Sequence, residues 1–147
     1  MRTIKFRGKA SHNGEWLYGD LINIHCEYHI LGEDDMREDG HHVTQDSDRP
    51  TWVEPDTIGQ FTGLHDKNGK EIYEGDIIQH RRMKVIVKFW RGAYGYGRII
   101  AREYAFVPFV GSDDNKNALQ FTDGTVFDTD FCEVIGNIHD NLKLLEQ

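Results

Sequence analysis

Apolar and polar residues alternate with a period of two along most of this chain, and no window sustains a helical period. Ile4 and Phe6 alternate with Lys5 and Arg7, which predicts a first short strand. Asn13-Gly14 predicts a two-residue type I′ hairpin turn, because that turn needs φ > 0 at both central positions. A second strand follows through Trp16, Leu17 and Tyr18. Beyond Gly19 and Asp20, residues 22–30 read as one strand. Ile22, Ile24, Cys26, Tyr28 and Ile30 face a core, while Asn23, His25, Glu27 and His29 face water. Extended structure resumes at residues 51–53. A turn at Asp66-Lys67-Asn68-Gly69 then leads to a strand over residues 76–79. Met83, Val85, Val87 and Phe89 alternate with Lys84, Ile86, Lys88 and Trp90, giving a strand apolar on one face and mixed on the other. Residues 91–97, with Gly92, Gly95 and Gly97, read as a turn. Residues 99–109 make one or two strands, with Pro108 at an edge or an end. Residues 111–117 read as a polar loop, Asp123-Gly124 as a tight hairpin, 131–138 as a last strand, and 141–147 as one helical turn.

One device occurs twice. Residues 13–22, NGEWLYGDLI, echo residues 68–78, NGKEIYEGDII, with Glu74 the extra residue of the second copy. Two copies do not make a solenoid. They read as one hairpin device: Asn-Gly turns, Tyr packs, and Gly-Asp bends the chain into a strand, Gly by its freedom at positive φ and Asp by bonding nearby N–H groups.

The 147 residues suffice for one domain with a real core, and eight Phe, six Tyr and three Trp among fifteen Gly fit a mostly β fold of short strands. Met1 to Lys9 has no apolar segment of a signal peptide, and no run reaches a membrane span. The protein is expected to be soluble and cytoplasmic, with Cys26 and Cys132 as reduced, buried thiols rather than a disulfide. Net charge is −8, but residues 80–102 carry Arg81, Arg82, Lys84, Lys88, Arg91, Arg98 and Arg102 and no carboxylate, so this +7 window leaves −15 on the rest. Much of the acid lies in residues 32–48, GEDDMREDGHHVTQDSD, a predicted long loop.

Three blocks carry a family resemblance: IKFR at residues 4–7, GQFTGLHDKNGKEIYEGDII at 59–78, and EVIGNI at 133–138. With them the chain resembles the YopX-like family of phage and prophage proteins. The resemblance implies a single YopX-like domain over 1–147, with an N-terminal β-hairpin part (1–58) that carries the acidic loop and a small SH3-like β-barrel part (59–147). It also implies carriage by a phage or prophage in a bacterial host. It brings no activity and no catalytic residues. The basic stretch and the acidic loop lie outside the matching blocks.

No catalytic constellation is present. Glu33, Asp34, Asp35, Glu38 and Asp39 are adjacent rather than opposed, as an acid–base pair would be. The serines lie in polar turns outside any Gly-x-Ser-x-Gly, and Gly92, Gly95 and Gly97 lack the Gly-Lys-Ser/Thr of a phosphate loop. His25 and His29, four apart on a strand, would stand about 13 Å from each other, too far to share a metal. They could meet His41 or His42 on a polar face, but surface histidines are the simpler reading. No cofactor and no metal is expected, and the chain reads as a non-enzyme. The candidate binding surface is Lys84, Lys88, Trp90, Arg91, Tyr94, Tyr96 and Arg98. Lys84 and Lys88 share a strand face with Trp90, and the remainder ring the following turn. Such a surface suits an acidic protein partner or the acidic loop 32–48, either within the chain or from another copy in a homo-oligomer. The alternative is single-stranded nucleic acid bound through residues 81–102, because cations with interleaved rings serve phosphates and bases.

Overall fold

The computed structural model describes residues 3–32, 51–80, 82–90, 93–100, 103–108, 111–112, 115–120, 126–128 and 132–146, with backbone only for the strand residues between 90 and 131. The fold is mostly β, and its strand pairs are antiparallel. The chain forms two compact units, Met1–Phe61 and Thr62–Gln147. The acidic segment beyond residue 32 lies outside the described residues, as do Arg91-Gly92 and the expected hairpin turn at Asp123-Gly124.

In the first unit, β1 (Phe6–Lys9) lies between β2 (Trp16–Ile24) and the start of β5 (Gly59–His65), with β3 (Glu27–Leu31) and β4 (Thr51–Trp52) beyond β2. The core lies on one side, where Ala10, Ile30 and Val53 are buried. Gly8 belongs there because a Cβ would stand 3.1 Å from Val53 Cβ and 3.3 Å from Ile30 Cδ1. The β1–β2 connection is not the expected type I′ turn. Ala10 N–H donates to Glu15 O and Gly14 N–H to Ala10 O, closing a four-residue loop in which Gly14 has φ +73°. The Asn13 carboxamide accepts from Glu15 N–H instead of the backbone turning left-handed at Asn13.

The expected single strand over residues 22–30 is a hairpin. His25 and Cys26 form a two-residue turn with φ of 51° and 68°, and Ile24 pairs with Glu27. Positive φ at both positions is the I′ geometry, reached here without glycine. Burial of Ile30 and Leu31 fixes the register against Leu21 and Asp20, and the tip must then turn in two residues. A two-residue turn inverts parity, so Ile22 shares a face with His29 while Ile30 shares one with Leu21. Cys26 is therefore an exposed thiol, contrary to the expectation, whereas Cys132 is buried; neither is in a disulfide.

In the second unit, β7 (Asp76–His80), β8 (Met83–Trp90), β9 (Ala93–Ile100) and β10 (Glu103–Pro108) form a meander, with β14 (Cys132–Asn137) on the far side of β7. Residues 93–97 thus belong to a strand rather than a turn, because the glycines alternate with tyrosines in extended pairing with β8. Pro108 ends an edge strand, where its missing N–H is harmless. The expected polar loop at 111–117 contains β11 (Gly111–Ser112) and the start of β12 (Asn115–Gln120), which pairs with β13 (Val126–Asp128). Backbone ladders do not require apolar side chains. Among the described residues the sheets are open, with no closed barrel. The core of this unit is Ile72, Ile78, Val85, Val87, Cys132 and Val134, with Leu64 and Met83 packed against it.

Two carboxylates hold the turns around β6 (Glu71–Tyr73). Asp66 Oδ1 accepts from Asn68 N–H (2.8 Å) and Lys70 N–H (2.9 Å), while Oδ2 accepts from Val134 N–H (2.9 Å), so one side chain shapes the β5–β6 turn and ties it to β14. Burial pushes the Asp66 carboxyl up. The N–H groups of Val134, Lys70 and Asn68 and the Lys70 charge outweigh it and hold the carboxyl below its ordinary value of 3.8. Asp76, also buried, accepts from Tyr73 N–H at 2.8 Å across the turn in which Gly75 has φ +85°. The Gly75 carbonyl accepts from Ile138 N–H, and the Gly75 N–H donates to Val87 O.

Candidate binding face

The alternation of β8 sorts its residues without ambiguity. Val85 and Val87 are buried in the core, which leaves Lys84, Ile86 and Lys88 half-buried on the opposite face. Trp90 continues that series by position. Across the ladder Lys88 pairs with Gly95 and Trp90 with Ala93, so the neighbouring strand presents its smallest residues beside them. Tyr94 pairs with Phe89 and Tyr96 with Val87, and Arg98 continues their alternation. The expected set thus divides by register. Lys84, Lys88 and Trp90 occupy one face, Tyr94, Tyr96 and Arg98 occupy register positions on the other, and Arg91 lies outside the described residues.

Lys84 has a second attachment. Its ammonium donates to Leu144 O at 3.1 Å, at the end of the 3-10 turn Leu142–Leu145. A cation at a helical C-terminus is favourable, so part of the role of Lys84 is to hold the tail. That tail is reached through a turn built by the EVIGNI block. Asn137 Oδ1 accepts from His139 and Asp140 N–H, and a Cβ at Gly136 would lie 2.6 Å from Asn141 Oδ1.

A second basic and aromatic set, on β1 and β2, escaped the sequence reading. Register pairs Arg7 with Tyr18 and Lys9 with Trp16; the Arg7 guanidinium lies 4.8 Å and the Lys9 ammonium 5.5 Å from the Trp16 ring centre. The alternation of Arg7 and Lys9 opposite Trp16 and Tyr18 was the available signal, but only pairing shows that the two alternations meet. These contacts are cation–π bonds within the hairpin. His25 sits in the turn itself and His29 on β3, where it lies 3.8 Å from Glu27. No group of three or more metal-ligating residues occurs among those described. No helix among them is long and apolar enough to cross a membrane.

These features define a mostly β protein of two units, each built of antiparallel strands, in which the buried carboxylates of Asp66 and Asp76 clamp turns. The chain belongs to the YopX family, described as YopX protein, which it matches over residues 5–146. Among solved structures it is similar to protein EF1440 from Enterococcus faecalis, at 22% identity, with 99% of each chain covered and a TM-score of 0.42. A comparison with curated proteins finds no match.

Proposed function

We propose that this YopX-family chain is a non-catalytic binding module whose basic β8 face takes an acidic polypeptide segment, in the first place one from a second copy of the chain. The observation that carries the reading is the alternation of Lys84 and Lys88 on the face away from the core, beside the small residues of β9. The charge outside residues 80–102 is −15 against a net −8, so the chain itself supplies an acidic counterpart. Lys88, Trp90 and Arg91 are the principal contacts, and Lys84 contributes while holding the tail. Tyr94, Tyr96 and Arg98 fall at register positions on the opposite face and are left out of the proposed contact surface. The five-stranded sheet of β7 to β10 and β14 is the part we assign to the SH3-like barrel of the resemblance. The setting that accompanies this reading is the cytoplasm of a bacterial host carrying a phage or prophage.

Light scattering across a salt series tests it. The expected result is a defined oligomer at low salt that loosens as salt screens the charges, with Lys88→Gln shifting the equilibrium to monomer. A monomer at every concentration and salt would overturn the reading. Binding of single-stranded oligonucleotides, with affinity falling steeply as salt rises, would move the same face to nucleic acid.

A further inference from the structure

We infer that Asn68 is a site of spontaneous covalent modification, converting to aspartate or isoaspartate through a succinimide, while the similar Asn13 is protected. Both precede glycine, whose bare amide nitrogen is the least hindered nucleophile the backbone offers to a neighbouring carboxamide. The Gly nitrogen gives up its proton to solvent base and bonds to the Asn side-chain carbonyl carbon. The carbon–nitrogen bond of the side chain breaks, ammonia leaves with a proton, and water then opens one of the two imide bonds.

The two sites differ at the side chain. The Asn13 carboxamide is held at both ends: its oxygen accepts from Glu15 N–H at 3.0 Å and its nitrogen donates to Glu15 Oε2 at 2.8 Å. Reaction there requires both bonds to break. Asn68 is exposed, and among the described residues only its backbone N–H is engaged, by Asp66 Oδ1. Its carboxamide is left to turn toward the Gly69 nitrogen. The backbone does not discriminate, since Gly14 N–H donates to Ala10 O and Gly69 N–H to Asp66 O at nearly equal lengths.

The location gives the reaction a consequence. Isoaspartate adds a methylene to a backbone turn that the Asp66 carboxylate clamps through the N–H groups of residues 68 and 70. That carboxylate also holds Val134 N–H of β14. Ageing at Asn68 therefore loosens the tie between the β5–β6 turn and β14.

The test is peptide mapping by mass spectrometry of the full chain during incubation at mildly alkaline pH, folded and in urea. Folded protein should convert at Asn68 roughly tenfold faster than at Asn13, a factor set by the hydrogen bonds that Asn13 must release. In urea the two rates should come together. The aged acidic fraction should melt below the fresh protein, and Asn68→Ser should abolish that fraction. Equal rates in the folded chain, faster loss at Asn13, or an intact Asn68 under conditions where the unfolded chain reacts would each overturn the inference.

Discussion

The two copies of the Asn-Gly…Tyr…Gly-Asp device share most of their letters and little of their structure. Tyr18 is 43% exposed, whereas Tyr73 is 2% exposed and donates its hydroxyl to Glu71 Oε2. Gly19-Asp20 lies inside one uninterrupted strand, β2, and Asp20 is exposed. Gly75-Asp76 breaks the chain between β6 and β7, with the Asp76 carboxylate folded back on Tyr73 N–H. The expectation of one device used twice is thus corrected. The extra residue Glu74 gives the second copy room for a left-handed Gly75, and with it a corner. Without that residue the first copy stays in register with β1 through residue 19 and continues straight on. Identity of residues does not fix their roles; the count of residues between pairing partners does.

Substitutions at matched positions break this comparison open. The largest effect is expected at the tyrosines. Tyr73→Ala should cost about 3–5 kcal/mol in urea unfolding, and Tyr18→Ala no more than about 1 kcal/mol. Equal losses would mean that the two rings are equivalent after all.

The glycines should reverse the order. A Cβ at Gly19 would lie 1.7 Å from the Leu31 carbonyl oxygen, a backbone atom that cannot yield. Gly19→Ala should cost about 3 kcal/mol. At Gly75 the nearest atom to a Cβ is Ile138 Cγ1 at 3.6 Å, so only the strained φ is charged to Gly75→Ala, about 1–2 kcal/mol. Thermal melts of the two variants decide this, and a milder Gly19→Ala would disprove the close approach.

Asp66, which prepares the second copy and has no counterpart before the first, sharpens the contrast through pH. Its folded pKa lies below the ordinary 3.8. Its contribution is therefore complete above about pH 4, and is lost as pH falls through the lower folded value. Asp66→Asn should cost about 1–3 kcal/mol at neutral pH and should flatten stability against pH in the acid limb. An unchanged acid limb would remove the carboxylate from the account.

The smallest effect belongs to the hairpin tip at His25-Cys26. Replacing the pair with Asn-Gly, the combination preferred at two positive φ values, should stabilise by up to about 1 kcal/mol, raising the melting temperature by about 2–4 °C. A drop would show that the tip residues earn their place through contacts rather than backbone.

Much of the strand content was legible because alternation is a local signal. The strand at 83–90 and the Asp66–Gly69 turn follow from residues within a few positions of one another. The failures share a cause. Residues 22–30 alternate without a break, yet they turn at His25-Cys26, because pairing with buried Ile30 and Leu31 outweighs the local preference for glycine in such turns. The candidate face was legible as a charge count but not as a surface: the ladder between β8 and β9 places Tyr94 and Tyr96 at the positions of Phe89 and Val87 rather than beside Lys88.

The sequence by itself determined that this is a β-rich chain, where its basic window lies, and that it belongs with YopX proteins, since composition, period and motif are properties of neighbours along the chain. Only the tertiary structure decided which tyrosine of the repeated device is buried, which cysteine is exposed, and that Asp66 reaches across to Val134. Those outcomes depend on strand register and on hydrogen bonds between residues up to 68 positions apart, which no local pattern records.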